Sequence, residues 1–403
     1  MTMKKIVGAS LIALLGTNVG AQNQIKLIVG TYTNGSSKGI YSLQFDQQTG
    51  QSKPLDTLEL SNPSYLTLST DGSMIYAVSE ESDDKASVHA ISFDRIDGKM
   101  QLINSIPTKG TDPCFVETND NMVLTANYGG GSLSVFLLNA NGSIEGLTQL
   151  FNGSTGGPNT KRQNAAHVHC VRYLPDGNGA LATDFSADRL LHFDFDGMKS
   201  LKPPTVAAKL KSGSGPRHLI FSHDSRFVYV INELSGAITV FHYANRKLIK
   251  IQEIQSDEVN AQGSADIHLT PNGKFLYSSN RLKNDGVAIF KVDQQTGMLT
   301  KIGYQNTGVH PRNFNITPNG HFLLCASRDN NKIQVFNIDE NTGLLVDTNQ
   351  DILIDRPVCI QFFPVMMKKD SMDQKEPCKM KSESCKEGQK HDIDCASKHE
   401  QHQ

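Results

Sequence analysis

Tryptophan is absent from the 403-residue chain, and charge is nearly balanced, with a formal net value of −2. That balance gives no electrostatic footprint for a nucleic-acid partner. Hydrophobic residues make up only 38% of the chain, too few for a multispan membrane protein. Long apolar runs are also missing, apart from one near the amino terminus. There Lys4 and Lys5 precede the apolar stretch from Ile6 to Gly16, and Val19-Gly20-Ala21 offers a small-residue cleavage site before Gln22. The run is too short to span a bilayer. Residues 1–21 are therefore expected to be a secretory signal peptide, leaving an exported protein, periplasmic or extracellular, with no membrane span after cleavage.

An even cysteine count is lacking too. Seven Cys do not make a complete disulfide framework. Cys114, Cys170, Cys325 and Cys359 lie in apolar strand patterns and read as small core residues. Cys378, Cys385 and Cys395 fall in a tail, 366–403, that is rich in Lys, Glu, Asp, Ser and His and nearly without aliphatics. Such a composition buries too little apolar surface to fold alone, and the three cysteines are not spaced as a compact zinc module. The tail is expected to be disordered.

What the chain does have is a repeat. Turn signals recur at Thr70-Asp71-Gly72, Asn119-Asp120-Asn121, Pro175-Asp176-Gly177, His223-Asp224-Ser225, Pro271-Asn272-Gly273 and Pro318-Asn319-Gly320, about every 50 residues, the period of a propeller or solenoid. The stretch Pro216–Phe241 shows the plan: apolar runs HLIF, FVYVI and AITVF separated by polar turns, the pattern of antiparallel strands. The second run of each unit ends in a small polar residue followed by a bulky or charged one. These pairs are Thr31-Tyr32, Ser79-Glu80, Asn127-Tyr128, Asp184-Phe185, Asn232-Glu233, Asn280-Arg281 and Ser327-Arg328. Seven four-stranded units predict an all-β fold, a seven-bladed β-propeller over residues 22–365. The first unit lacks an inner strand, and Pro357–Pro364 has no unit of its own. That last run is expected to close the ring in the first blade, removing an exposed edge. A two-domain β-sandwich predicts no such repeat.

In a blade, the start of the first strand and the end of the second lie on one face. With each turn as a ruler, the first-strand starts are Ser64, Pro113, His169, Arg217, Ala265 and Arg312, followed by Tyr65, Cys114, Cys170, His218, Asp266 and Asn313. The second-strand ends add Glu80, Glu233, Arg281 and Arg328, with His268 deeper in the channel. Convergent Arg, His and Glu on a concave face suit an anionic small molecule, because a guanidinium can hold a carboxylate or phosphate bidentately. A solvated rim or a structural Arg217–Glu233 pair is the competing explanation. Asn127, Asp184, Asn232 and Asn280 offer oxygen ligands of the kind calcium prefers, but a position that recurs in every blade fits turn capping better.

The motifs GPRHLIF (Gly215–Phe221), VINEL (Val230–Leu234), ADIHLTPNGKFLY (Ala265–Tyr277), HPRNFNITPNG (His310–Gly320) and VGTYTNG (Val29–Gly35) resemble the propeller-type 6-phosphogluconolactonase family, to which carboxymuconate-type lactonising enzymes are related. The resemblance runs from about Lys26 to Pro364. It implies a sugar-type or anionic lactone as substrate, a site at the channel mouth, and no metal or other cofactor. It also implies catalytic roles for His169, Arg217, Glu233 and Arg281, with Glu233 or His169 as base. His218, Arg312, Arg328, His268 and Asn127 are the further candidates for holding substrate. Cycloisomerisation of a muconate and a non-enzymatic exported binding propeller are the alternatives.

Overall fold

The computed structural model describes residues 23–363. The segment expected to be a signal peptide and the tail from 366 lie outside the described residues. Seven sheets are formed; six have their strands in sequence order, and in the first blade the last strand of the fold precedes the first three. Blade five runs Pro216–Phe221, Phe227–Asn232, Ala237–Ala244 and Lys247–Gln255. In blade seven the outermost strand is split into Leu345–Asp347 and Ile352–Leu353, both pairing with Lys332–Ile338. Among the described residues no helix is long and apolar enough to cross a membrane.

Burial along each strand explains the run of apolar residues that marks the repeat. The second strand is buried at every position in blades two to seven, as in Phe227–Asn232 and Phe275–Asn280. It has neighbouring blades on both faces, so its sequence is continuously apolar rather than alternating. The fourth strands face solvent on one side, and Lys247–Gln255 accordingly alternates between exposed and half-buried residues. Blades are tied by repeated devices. The Tyr76 hydroxyl donates to Gly142 O at 2.9 Å and the Tyr277 hydroxyl to Gly343 O at 2.8 Å, each reaching the next blade. All four described cysteines are buried and unpaired, as core residues would be.

Closure follows the expected route. Pro357–Phe362 pairs antiparallel with Gln24–Thr31, in register Leu27 with Phe362 and Val29 with Ile360. Val358, Cys359 and Ile360 are buried, and Phe363 stacks on Phe93 of blade two at 3.9 Å between ring centroids. The last strand therefore joins the two ends of the described segment and also packs against the next blade. Removing buried methylenes from such a position loses transfer energy and leaves a cavity. Ile360→Ala is expected to cost about 2–5 kcal/mol in chemical denaturation. Leu353→Ala, a few residues earlier and 81% exposed, is expected to stay within about 0.5 kcal/mol.

Candidate active site

The backbone aims side chains into the channel by one device used repeatedly. In blade five Pro216 pairs with Asn232 and His218 with Ile231, so Arg217 is the extra residue of a β-bulge. The same irregularity leaves Cys114, His169, Arg312 and Val358 unpaired in blades three, four, seven and one. A bulge re-aims the side chain it carries. The first residue after each second strand is then tied back to the residue two before the bulge. Glu233 N donates to Gly215 O at 2.8 Å, Glu80 N to Asn62 O at 3.0 Å, Tyr128 N to Asp112 O at 2.8 Å and Arg281 N to Gly263 O at 3.2 Å. Asn62, Asp112, Gly215, His310 and Arg356, acceptors in this scheme, take left-handed φ values between 42° and 62°. One backbone motif thus brings the bulge residue and the strand-end residue of each blade to one rim.

The ruler misplaces one column member. In blade three the hairpin closes from Asn119 N to Met122 O, whereas in blade two it runs from Ser69 N to Met74 O. The shorter turn moves the column by one residue, so Cys114 takes the place expected of Pro113 and Phe115 that expected of Cys114. Packing agrees: Phe115 stacks on Tyr65 at 4.1 Å, and both meet the His218 ring edge-on.

The strand-end ring reads Tyr32, Glu80, Tyr128, Phe185, Glu233, Arg281 and Arg328. At its centre is Glu233. Arg162 Nη2 donates to Oε1 at 2.7 Å, Arg217 Nε lies 3.0 Å from Oε2, and Arg281 Nη2 lies 3.3 Å from Oε2. The Arg217 N–H is not aimed along a hydrogen-bond direction, so that contact is an ion pair. Burial pushes the Glu233 carboxyl up, but Arg281, Arg217 and Arg162 outweigh it and hold the group down at about 2. Across the mouth, the Tyr32 hydroxyl donates to Glu80 Oε1 at 2.9 Å, and Arg312 stands 3.4 Å from Glu80 Oε2 and over the Tyr32 ring.

A second buried network lies beneath. Arg217 Nη1 donates to Ala265 O at 2.7 Å and to His218 Nε2 at 3.1 Å. A guanidinium has no acceptor, so Nε2 accepts and the His218 proton sits on Nδ1, where it is donated to Asp266 Oδ1 at 2.7 Å. Asp266 also accepts from His268 Nε2 at 3.0 Å and from Asn313 Nδ2. Burial, with Arg217 beside it, lowers His218 to about 3, so the ring is neutral. His169 is buried and neutral as well, pushed well below its ordinary range by burial, then by Arg217, His218 and Arg312. Its Nδ1 lies 3.7 Å from Cys114 Sγ, and Nε2 has no hydrogen-bond partner among the described residues. Residues from both columns, including Ser64, Cys114, Arg217, Arg312 and Val358, wall a cavity of about 10 Å³, room for about one water. Larger hollows of about 630 and 320 Å³ open beside hairpin turns instead. In the first of these Arg246 is already paired with Asp176 and Asp194.

Arg217, Arg281 and Glu233 meet in one cluster, with His169 and Arg312 on neighbouring bulges. His218 and His268 turn to Asp266, beneath the rim. Arg328 is held bidentately by Asp329, at 2.7 and 2.9 Å, and approaches His310 Nδ1 at 3.1 Å. Asn127 is a correction. Its amide is consumed inside blade three, accepting from Thr125 Oγ1 and donating to Ser132 and Ser134 Oγ at 2.8–3.0 Å. Asn232 does the same job in blade five, so this repeated position ties strands together. Two residues escaped the reading of the sequence. Asp266 stood in the second column but was given no role. Arg162 lies outside the repeat, in the loop 153–167, and its one signal is that the turn spacing is longest across that insertion.

These groups set the acid response. Glu233 is depressed, so its contribution is present above the unfolded carboxyl value of about 4.3 and lost as pH falls toward 2. His218 and His310, both lowered to about 3 chiefly by burial, and His89, lowered to about 4 by burial, are neutral when folded. Unfolded chains bind protons on them below about 6.5, so their contribution is also lost as pH falls. With His169, also neutral when folded, unfolding at pH 5 is therefore expected to take up about four protons. The measure is the pH slope of the unfolding free energy, and a flat profile from pH 7 to 4.5 would contradict the burial of neutral imidazoles.

Comparison with known proteins agrees with this architecture. The family profile described as lactonase, 7-bladed beta-propeller, matches residues 26–362. A curated protein of Formosa agariphila named 6-phosphogluconolactonase is 32% identical over 349 residues, covering 84% of this chain and 99% of its own. A solved structure from Bacteroides uniformis is 51% identical with a TM-score of 0.83, covering 85% of this chain and all of the other. The periplasmic gluconolactonase of Pseudomonas aeruginosa is 32% identical with a TM-score of 0.80 over the same shares. With the family profile spanning the whole propeller, this chain belongs to the lactonase family of seven-bladed β-propellers.

Proposed function

We propose that the chain hydrolyses a sugar-type lactone at the channel mouth, using Arg217, Arg281 and the neutral His169. The observation that carries this reading is the convergence of the buried Arg217 and Arg281 on one buried carboxylate, beside a neutral imidazole whose Nε2 is unengaged. Lactone opening needs a water made nucleophilic and an oxyanion stabilised. His169 Nε2 takes a proton from the attacking water as its oxygen bonds to the ester carbon. The oxyanion develops beside the guanidinium groups of Arg217 and Arg281, already fixed in place. When the ring C–O bond breaks, the imidazolium returns the proton to the leaving alkoxide, and the product is the hydroxy acid. Glu233 is better suited to anchoring the cations than to accepting a proton, since both its oxygens face guanidinium groups and its carboxyl is held at about 2.

The names of the curated relative and of the periplasmic neighbour favour hydrolysis of a sugar lactone over cycloisomerisation. Export is part of the proposal. It rests on the amino-terminal pattern of residues 1–21, with the periplasmic neighbour as support. The domain division, a signal peptide at 1–21, a propeller over 22–365 and a tail over 366–403, is proposed on the same footing.

The test is a proton-release assay on a lactone panel with subtraction of spontaneous opening. His169→Gln keeps size and a hydrogen-bonding amide but cannot cycle a proton. Its kcat is expected to fall about 100-fold or more with an unchanged melting temperature. Arg217→Ala is expected to lower kcat/KM by a similar factor. Wild-type kcat in His169→Gln would remove His169 from the mechanism.

A further inference from the structure

We propose that Arg162 is a specificity-determining residue that reads an anionic substituent of the substrate, away from the ester that is cleaved. This rests on the lactonase reading above. Of the three guanidinium groups on Glu233, two are buried and bonded to backbone carbonyls. The Arg217 side chain is 2% exposed and also bonds Ala265 O and His218, and that of Arg281 is 5% exposed and bonds Gly263 O, with His310 against its Nη1. Arg162 differs. Its side chain is 36% exposed, and no partner is found for Nη1 among the described residues. One edge of its fork rests on Glu233 and the Tyr128 hydroxyl, at 2.7 and 3.1 Å. Both hydrogens of Nη2 are thereby used, and the two N–H groups of Nη1 remain to donate a charge-assisted hydrogen bond to an oxygen of a carboxylate or phosphate.

The arm is built to hold this position. Arg162 N donates to the Asn159 side chain and to Asn159 O. The next residue, Gln163, is buried and donates to Phe185 O at 3.1 Å and to Asp188 Oδ1 at 2.9 Å. Gly157 N is bonded to Ser186 O at 2.7 Å. At the loop's end, His167 lies flat on Tyr128, 4.0 Å between ring centroids and 3° from parallel, and its Nδ1 bonds Tyr128 O at 2.6 Å. The Arg162 guanidinium also covers the Phe185 ring. A loop pinned on both sides of one arginine presents that arginine without the entropy cost of ordering it at binding. Loops outside a repeat are where related scaffolds change what they recognise.

Arg162 stands on a partly exposed loop, so Arg162→Ala and Arg162→Lys are expected to fold as the wild type does. Turnover is measured on a neutral aldono-lactone and on matched lactones bearing a phosphate or a carboxylate at the far end. Binding of the corresponding open-chain acids is measured by calorimetry. The expected result for Arg162→Ala is a rise of about 10- to 100-fold in KM and Kd for the charged series, with kcat within about twofold and the neutral lactone unaffected. Lysine is expected to restore part of the loss, and the larger effect of the two charged series identifies phosphate or carboxylate as the preferred group. Equal losses on neutral and charged lactones, a fall in kcat alone, or unchanged KM and Kd would each overturn the assignment. If the wild type opens no lactone, the hydrolase reading fails, and the calorimetric comparison still decides whether Arg162 reads an anion.

Discussion

One buried carboxylate organises the mouth of this propeller. Glu233 is held where its oxygens face Arg162, Arg217 and Arg281, and each of those cations comes from a different stretch of chain. A charge taken out of water is tolerated only when it is paired, so the carboxylate and the guanidinium groups each require the other. The pairing is unequal. Three cations share one anion, and the positive charge left over is what makes the mouth suitable for an anionic group or a developing oxyanion. Fixed in advance, such a cluster needs no reorganisation when charge appears in a reaction.

The fold supplies this arrangement through a backbone rule that ignores side-chain identity. Six of the seven inner strands open near a bulge, and the residue after each second strand is tied to a carbonyl at the entrance of the inner strand. The rule would put any side chain on the rim. Chemistry enters through which residues occupy the repeated places: Tyr32, Glu80 and Arg312 on one side, Tyr128, Glu233 and Arg281 on the other. Beneath them the chain from Asp266 through His218 to Arg217 fixes a tautomer and thereby an orientation. The buried imidazoles are neutral because burial and nearby guanidinium groups both disfavour a further positive charge.

Much of this was legible in the sequence because a propeller is periodic. The turn period predicted a propeller, the seven strand-end pairs its seven blades, and the ruler and the pairs together put Arg217 and Glu233 on one face. What escaped was what broke the period. A shorter hairpin in blade three shifted Cys114 into the column given to Pro113. Arg162 arrived on an insertion with no counterpart in other blades. Asn127 was misread for the opposite reason: its position repeats, and the repeat reflects a tie between strands rather than a surface for ligand. Asp266 sat in the right column, but a lone carboxylate gives no sign in sequence of the several donors it accepts.

Binding is proposed at the rim formed by bulges and strand ends, with the Glu233 cluster as the anionic subsite. A crystal structure with the open-chain acid product of an active lactone tests this most directly. The expected result is a carboxylate or other anionic group of the product within hydrogen-bond distance of Arg281, Arg312 or Arg162, beside His169. Product bound only on the opposite face, against the hairpin turns, would contradict it.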